Sequence, residues 1–360
     1  RALLELAVRM KRGEPLSALR NLHGTLYIDK TFHKEAVQLP SFEEVSTKPE
    51  LYLQAFKQTE QEQNPYCGRT LVQLHGDRQV VCNPPAEPLS THELDSLYAL
   101  PFTREPHPSY TEPIPAFDQI KTSLTSHRGC FGGCSFCAIT YHQGKVIQSR
   151  STASVTAELR ELAKKTWFRG TVSDLGGPTA NMFGTACADP EGDRNCRRPS
   201  CLFPKICKNL RTDDHAAVNL LKVASIQPGI KTLTVTSGIR HDLLATQPDY
   251  FHELIEHHVG GLLKVAPEHL VDTVTHLMRK PAKDSFIRFL DRFREANKKL
   301  GKRQSVIPYL MSGHPGCCLE DMVQLAIALK KLGLKVEQVQ EFTPTPVTDP
   351  TCMYKTEMYP

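Results

Sequence analysis

The stretch "KTSLTSHRGCFGGCSFCAIT", residues 121–140, joins a strand-like run to a loop that carries three cysteines. Residues 121–126 have the composition of a β-strand, and Cys130, Cys134 and Cys137 follow within eight positions of one another. Gly132 and Gly133 allow the backbone between them to bend tightly. A helix-like stretch begins at Ser151, so the segment reads as one strand–loop–helix unit.

Similar units repeat along the rest of the chain. The further strand-like runs are residues 171–175, 231–238, 261–267, 305–310 and 335–342, and the helix-like runs are residues 151–167, 215–226, 248–259, 283–300 and 319–333. Strict alternation of six strands with five helices predicts right-handed βαβ units around a parallel sheet. We therefore expect an α/β fold, a partial (β/α)6 barrel, preceded by an irregular N-terminal region.

The motifs that carry chemistry all follow predicted strands. After the cysteine loop come "LGGP" (175–178), "SGIRHD" (237–242), "APEH" (266–269) and "SGHPGCC" (312–318). In barrels of this kind the reactive groups gather at the carboxyl ends of the strands. The sequence thus predicts that five loops on one rim form the site.

The domain organisation is inferred from changes in composition and periodicity along the chain. Residues 1–118 contain helix-like runs near 1–12 and 40–61 and a proline-rich stretch at 82–117, which predicts a linker or extension from a preceding domain. Residues 119–346 form the predicted core, with a cysteine-rich insert at 181–212. Residues 347–360 are interpreted as the start of a further segment.

Composition excludes several classes. The 360 residues include 44 basic and 39 acidic side chains, and a net charge of +5 is too small and too dispersed to indicate a nucleic-acid groove. No apolar run approaches the ~20 residues that span a bilayer. Twelve cysteines at metal-like spacings favour metal or cluster ligation in a reducing, cytoplasmic compartment over disulfides.

The number of thiols in the first loop limits the kind of metal site. Structural zinc takes four protein ligands, and catalytic zinc with three usually includes histidine or carboxylate. Three thiolates suit a cubane iron–sulfur cluster in which one iron stays free to bind and reduce a cofactor or substrate. A zinc-stabilised RNA-binding or scaffold protein is the alternative from another class.

The Cys-x3-Cys-x2-Cys loop resembles the signature of the radical S-adenosylmethionine (radical SAM) superfamily, with Phe136 at the aromatic position before the third cysteine. The wider sequence resembles the YgiQ family of these proteins, in "RGCFGGCSFCAIT", "IQSRS", "SDLGGPTANM", "RRPSCLFPKICKNL", "HHVGGLLKVAPEH", "IPYLMSGHPG" and "VEQVQEFTPTP". The opening residues, 1–28, are similar to the connector after Rossmann-like, often cobalamin-binding, domains of related enzymes.

The resemblance implies that Cys130, Cys134 and Cys137 hold a [4Fe–4S] cluster whose fourth iron binds S-adenosylmethionine. Reduction would then release a 5′-deoxyadenosyl radical that abstracts a hydrogen atom from a substrate. It also implies an electron donor such as flavodoxin or ferredoxin, and an unidentified small-molecule or macromolecular substrate.

The same resemblance suggests further cofactor contacts. Gly176 and Gly177 match the superfamily's "GGE" position, although Pro178 replaces the glutamate. The side chains expected to contact the carboxylate or ribose of the cofactor, unless they form salt bridges instead, are Ser237, Arg240, Asp242, Lys264 and Glu268. Gly313 and His314 resemble a glycine-rich loop near adenine in methylthiotransferase-like members. With "LMRKP" (277–281), they leave methylthiolation as a third hypothesis.

A second group of cysteines lies in the insert. Cys187, Cys196, Cys201 and Cys207 are separated by eight, four and five residues. Four thiols can close a zinc site or hold an auxiliary [4Fe–4S] cluster, and this spacing is wider than the usual pairs of a zinc ribbon. Free or disulfide-bonded cysteines are the remaining alternative. Cys317 and Cys318 are expected to be buried small residues at a helix start.

Overall fold

The N-terminal region forms a small sheet flanked by helices in the computed structural model, which describes residues 1–31, 33–336 and 338–360. Its strands have the order β1-β4-β3-β2: β1 (Leu26–Asp29), β2 (Val37–Gln38), β3 (Leu71–His75) and β4 (Arg78–Cys82). Its helices are α1 (Ala2–Lys11), α2 (Phe42–Thr47), α3 (Pro49–Gln61), α4 (Thr91–Tyr98) and α5 (Pro115–Ile120), with a 3-10 turn at Leu16–Ala18.

This region is more regular than the sequence indicates. Helices are present near residues 1–12 and 40–61 as expected. However, β1 pairs with β4, at least 50 residues away, and no local pattern predicts that pairing. A two-residue turn joins β3 to β4, and Gly76 in that turn has φ +59°. That turn is the local signal for the hairpin. The linker role of residues 1–118 stays a prediction.

The core begins with β5. Its strands are β5 (Ser123–Thr125), β6 (His127–Arg128), β7 (Gln148–Ser149), β8 (Thr171–Val172), β9 (Asp174–Gly176), β10 (Ala186–Cys187), β11 (Leu210–Arg211), β12 (Thr232–Leu233), β13 (Leu262–Glu268), β14 (Ser305–Ser312) and β15 (Gln340–Glu341). Its helices are α6 (Ile139–Gln143), α7 (Thr152–Ala163), α8 (Pro190–Arg194), α9 (His215–Ser225), α10 (His241–Leu244), α11 (Pro248–Glu253), α12 (Asp272–Leu277), α13 (Lys283–Lys299), α14 (Leu319–Lys331) and α15 (Asp349–Thr356), with a 3-10 turn at Ala180–Met182 and a π-helical turn at Leu254–His258.

The main strands pair in parallel and in chain order. β5 pairs with β9, β8 with β12, β13 with β14, and β14 with β15. A single parallel bridge between Ile239, which follows β12, and Val265 of β13 connects these two parts of the sheet. Within the described residues no pairing joins β15 back to β5, so the barrel is open. The α/β, partial-barrel prediction is confirmed. The predicted sixth strand, 335–342, is observed at Gln340–Glu341, and its residue 337 lies outside the described residues.

The helices pack on the outer face of this sheet. Ser151 caps α7 by accepting a hydrogen bond from the Ser154 amide, and Val155, Leu159 and Leu162 are fully buried along one side of that helix. Each side chain buried in this way contributes roughly 1.5–3 kcal/mol to folding. Because the helices cover the outer face of the sheet, the carboxyl ends of the strands remain accessible for a functional site. No helix among the described residues is long and apolar enough to cross a membrane.

Candidate active site

The three-cysteine loop is held at both sides by backbone contacts. The Cys130 amide donates to the Gly144 carbonyl at 3.0 Å, and the Cys137 amide donates to the Cys134 carbonyl at 3.1 Å. Between them Ser135 binds the end of α12, with its amide 3.1 Å from the Met278 carbonyl and its hydroxyl 2.6 Å from the Leu277 carbonyl. The loop is therefore a positioned element, although it contains no regular structure between β6 and α6.

The two glycines of the loop serve a close contact as well as a bend. Gly133 has φ +58°, and a Cβ atom there would lie 2.3 Å from the Pro199 carbonyl oxygen of the insert. The Ser200 hydroxyl donates to the Gly132 carbonyl at 2.7 Å. Only glycine at position 133 allows the insert to pack this closely on the cysteine loop.

The three thiols lie near one another and form no disulfide. Burial raises the pKa of Cys130, and it raises the pKa of Cys137 to about 12, with the neighbouring Cys134 adding to both shifts. No three His, Cys, Asp or Glu side chains among the described residues converge on one metal-ion position. A cubane cluster needs no such convergence, because each thiolate binds a different iron. This donor set therefore fits a [4Fe–4S] cluster better than a single ion.

Arg240 places a buried positive charge beside the loop. Its Nη1 donates to Cys134 Sγ at 3.2 Å, and its Nε and Nη2 donate to the Asp242 carboxylate at 2.9 and 2.6 Å. Burial opposes both charges, yet their attraction raises the pKa of Arg240 and lowers that of Asp242. Asn181 fixes the Arg240 backbone by accepting from its amide at 3.1 Å and donating to its carbonyl at 3.0 Å.

A second buried pair lies at the end of β13. Glu268 is 8% exposed with φ +66°, and its Oε1 lies 3.7 Å from the ammonium of Lys280. Burial raises the pKa of Glu268, and the charges of Lys280 and Arg240 oppose that rise. Lys264 lies apart from this pair, with its ammonium 5.9 Å from the Tyr309 ring centroid. The sequence reasoning missed Lys280, whose signal was a pair of cations just before Pro281.

Gly176, Gly177 and Ser237 are brought together by the first three strands. A Cβ atom on Gly176 would lie 2.5 Å from Ser237 Oγ, and one on Gly177 would lie 2.5 Å from His127 Cε1. Ser237 donates its amide and hydroxyl to the Asp174 carboxylate. Asp174, which the sequence reasoning did not select, thus anchors the loop after the third strand. Close packing therefore requires glycine at both positions.

Phe136 and His314 meet on the other side of the loop. Their ring centroids are 6.4 Å apart, and His314 also contacts the Phe342 ring at 5.6 Å. His314 is 1% exposed, its Nδ1 lies 2.8 Å from the Pro315 carbonyl, and its Nε2 makes no hydrogen bond to the described residues. Gly313 has φ +69°, and nothing lies within 4 Å of where a Cβ atom would be. Phe136 and His314 therefore present an aromatic surface and a ring nitrogen, His314 Nε2, that is available for a hydrogen bond.

The adjacent cysteines at the start of α14 divide into two environments. Cys317 packs on the cluster around Phe342, with its Sγ 3.8 Å from His269 Nε2. Cys318 is exposed rather than buried, and both its amide and its thiol donate to Asp321. The expectation of buried packing is wrong for Cys318, because the first turn of a helix leaves its amide groups for a capping partner.

A cavity of about 850 Å³ opens beside the loop. It is bounded by Cys134 and Cys137 on one side and by the N-terminal region on the other, including Glu60 and Tyr98. Its lining also contains the basic residues Arg1, Arg128, Lys145, Arg197, Arg198 and Arg279. The site thus has room for a bound molecule next to two of the three thiols.

Family models cover most of the chain. Residues 1–123 match the radical SAM N-terminal model and residues 124–326 match the radical SAM superfamily model. Together with the open parallel barrel and its three-cysteine loop, these matches define the chain as a member of the radical SAM enzymes. The cofactors of that class are a [4Fe–4S] cluster and S-adenosylmethionine.

Comparison with curated relatives identifies the family within the radical SAM enzymes. A UPF0313 protein of Geobacter sulfurreducens is 57% identical and one of Methanocella arvoryzae is 46% identical, each match covering 100% of this chain and 60% of the relative. The chain belongs to the UPF0313 family, which is the YgiQ family, and it spans about three fifths of these relatives' length.

A solved structure of the radical S-adenosylmethionine methyltransferase TsrM from Kitasatospora setae, with cobalamin and a [4Fe–4S] cluster bound, has a TM-score of 0.40 to this chain. The two are 15% identical, over 64% of this chain and 36% of that one. This likeness is too low to add to the family assignment.

Proposed function

We propose that the chain uses a [4Fe–4S] cluster on Cys130, Cys134 and Cys137 to cleave S-adenosylmethionine reductively. One electron from a reduced donor, such as a flavodoxin or ferredoxin, would break the carbon–sulfur bond to yield methionine and a 5′-deoxyadenosyl radical. The radical would then take a hydrogen atom from a substrate. The observation that carries this proposal is the three-thiol loop, with the buried guanidinium of Arg240 against one sulfur.

The charges around the loop support this chemistry. A cluster bound by three thiolates is anionic, and burial of that charge is costly unless a cation lies nearby. Arg240 supplies that cation and donates to Cys134 Sγ, while Asp242 and Asn181 hold it in place. All three donor nitrogens of its guanidinium group are engaged. We therefore assign Arg240 to the cluster rather than to the cofactor carboxylate.

Neighbouring groups are suited to the parts of S-adenosylmethionine. His314 Nε2 can bind an adenine edge against the Phe136 ring, and Gly313 leaves open space where a side chain would stand. Lys264 and the Glu268–Lys280 pair offer opposite charges for the carboxylate and the ribose hydroxyls. We assign the backbone at Gly176–Gly177, where a side chain would not fit, to the methionine amino group.

The test is the formation of 5′-deoxyadenosine, measured by chromatography after anaerobic reconstitution with iron and sulfide and addition of S-adenosylmethionine and dithionite. We expect product from the wild-type protein and from Cys318→Ala, and none from Cys134→Ala. Equal product from Cys134→Ala, or none from wild-type protein that carries its cluster, would contradict the proposal.

The two other hypotheses from the sequence gain nothing from the structure. A zinc-stabilised scaffold needs ligands that converge on one ion, which the described residues do not provide. Methylthiolation rests on the likeness of residues 277–281 and 312–316 to other enzymes, and their residues serve other contacts: Arg279 binds Glu60 and Asp349, and Lys280 lies beside Glu268. The reductive cleavage of S-adenosylmethionine is therefore the function that the site supports best.

A further inference from the structure

The insert gathers four cysteines that the first site does not use. The β10–β11 pair closes the base of the insert and sets Cys187 opposite Leu210. Cys187, Cys201 and Cys207 line one cavity of about 330 Å³. None of them forms a disulfide, although all four share one short loop. The insert thus keeps a set of reduced thiols around an internal space.

Cys196 lies outside that cavity and is connected to it through Lys145. Its Sγ accepts a hydrogen bond from Lys145 Nζ at 3.2 Å, and Lys145 also lines the cavity of the other three cysteines. Asn64 of the N-terminal region donates to the Cys196 carbonyl at 2.9 Å and to the Asp193 carbonyl at 3.0 Å. Lys145 and Asn64 therefore hold Cys196 next to the cavity that the other three cysteines line.

The insert has little regular structure and little apolar burial of its own. Its regular structure is two strands of two residues each and a helix of five residues. Met182 and Phe183 are buried at its start, and from residue 184 to residue 212 Leu202 is the buried hydrophobic side chain. Segments that cannot bury enough apolar surface usually depend on disulfides or metal for a defined structure. Since the cysteines of this insert form no disulfide, a bound metal would add to its stability.

The second set lies directly against the first. The Cys201 amide donates to the Phe131 carbonyl at 3.0 Å, one residue from Cys130. Cys130 and Cys201 also pack on the same apolar cluster, which consists of Phe131, Met182, Leu202 and Leu243. The two sets of thiols are therefore in contact with the same hydrophobic cluster.

We propose that Cys187, Cys196, Cys201 and Cys207 bind a second [4Fe–4S] cluster. A single zinc ion needs four sulfurs at ~2.3 Å from one point, and no three of the described cysteines converge in that way. A cubane takes one thiolate on each iron, so its four sulfurs stand farther apart. With every iron bound by protein, this cluster has no open position for S-adenosylmethionine.

The experiment measures iron and sulfide in the anaerobically reconstituted protein. Each [4Fe–4S] cluster adds about four iron atoms, so we expect about eight per wild-type chain. The variant Cys130→Ala/Cys134→Ala/Cys137→Ala should retain about four, as should Cys196→Ala/Cys201→Ala. Cys318→Ala, which changes an exposed thiol outside both sets, should match the wild-type protein.

Electron paramagnetic resonance distinguishes the two clusters. In the reduced protein, S-adenosylmethionine should alter the spectrum of the Cys196→Ala/Cys201→Ala variant and leave that of the first-loop triple variant unchanged. The proposal is overturned if the triple variant holds zinc instead of iron, or no metal. It is also overturned if Cys196→Ala/Cys201→Ala keeps the full iron content. Neither readout requires cleavage of S-adenosylmethionine, so failure of that activity and absence of a second cluster are separate results.

Discussion

Arg240 contacts a thiol that is 106 positions away in the sequence, and it does so from a site that is 5% exposed. A hydrogen bond and a positive charge at a cluster sulfur stabilise the reduced cluster more than the oxidised one, because reduction adds a negative charge. Asp242 pairs with the buried guanidinium and compensates its charge. The residue therefore connects the stability of the loop to the reduction potential of the bound cluster.

Removing this contact is expected to lower the reduction potential. In Arg240→Gln/Asp242→Asn both charges are removed together, so that neither is left buried alone. We expect the potential of the first cluster to fall by an amount on the order of 60 mV, which is about 1.4 kcal/mol for one electron. A redox titration followed by electron paramagnetic resonance measures it.

The variant Arg240→Lys keeps the positive charge, and we expect its reduction potential to lie between those of the wild-type protein and the double variant. If the double variant has the wild-type potential, Arg240 has only a structural role.

Gly133 offers a test of the contact between the loop and the insert. Gly133→Ala would place a Cβ atom 2.3 Å from the Pro199 carbonyl oxygen, in addition to the strain of φ +58°. Gly76 has nearly the same φ, +59°, but nothing within 4 Å of the added atom, which makes Gly76→Ala the matched control. We expect Gly133→Ala to lose most of the iron bound at the first site, and Gly76→Ala to retain it. Equal iron contents would show that the close approach is not needed.

At the scale of elements, Arg279 joins three parts of the chain. From the turn after α12, its guanidinium binds Glu60 of α3 at 3.0 Å and Asp349 of α15 at 2.9 Å. Arg279 itself has φ +52°, a conformation that costs a non-glycine residue of order 1 kcal/mol or more. The ion pairs hold this strained turn under the three-cysteine loop, since Ser135 of that loop binds the end of the same helix.

Arg279→Met is expected to destabilise the protein by about 3 kcal/mol, because it leaves the Asp349 carboxylate buried without its cation. Burial already raises the pKa of Asp349 to about 6. Adding Asp349→Asn to Arg279→Met should recover part of the loss. Urea unfolding under anaerobic conditions measures both. Lys164→Met, at an exposed ion pair with Glu161, is the control and should change little. If Arg279→Met lost about 3 kcal/mol of stability and adding Asp349→Asn recovered none of it, the unpaired Asp349 carboxylate would not be the cause of the loss.

At the scale of the whole molecule, stability should depend on pH through buried histidine. His241 is 4% exposed between the rings of Phe286 and Phe289, and neither ring nitrogen has a hydrogen-bond partner among the described residues. Burial lowers its pKa to about 3. Unfolded histidine has a pKa of ~6.5. The unfolded chain therefore binds a proton between these values that the folded chain does not, and stability falls as pH falls.

The expected loss from this residue at pH 5 is about 2 kcal/mol relative to pH 7.5. In His241→Leu that part of the pH dependence should disappear, while the contribution of other groups remains. Urea unfolding of both proteins at the two pH values gives the difference. If both proteins lose the same stability on acidification, His241 is not protonated on unfolding in this range.

The sequence by itself determined the class of this protein. Alternating strand and helix patterns are local, and so are the spacings of Cys130, Cys134 and Cys137, so both can be read from neighbouring residues. The parallel arrangement of the strands and the rim on which the loops lie followed from the predicted βαβ units.

What only the tertiary structure decided is which distant residues meet. Local patterns did not indicate that Arg240 reaches Cys134, that Lys280 faces Glu268, or that β1 pairs with β4. Nor did they indicate that Gly176 and Gly177 pack against Ser237 and His127. Such contacts depend on the folded path of the whole chain, because burial and packing bring together residues whose separation in sequence carries no periodic signal.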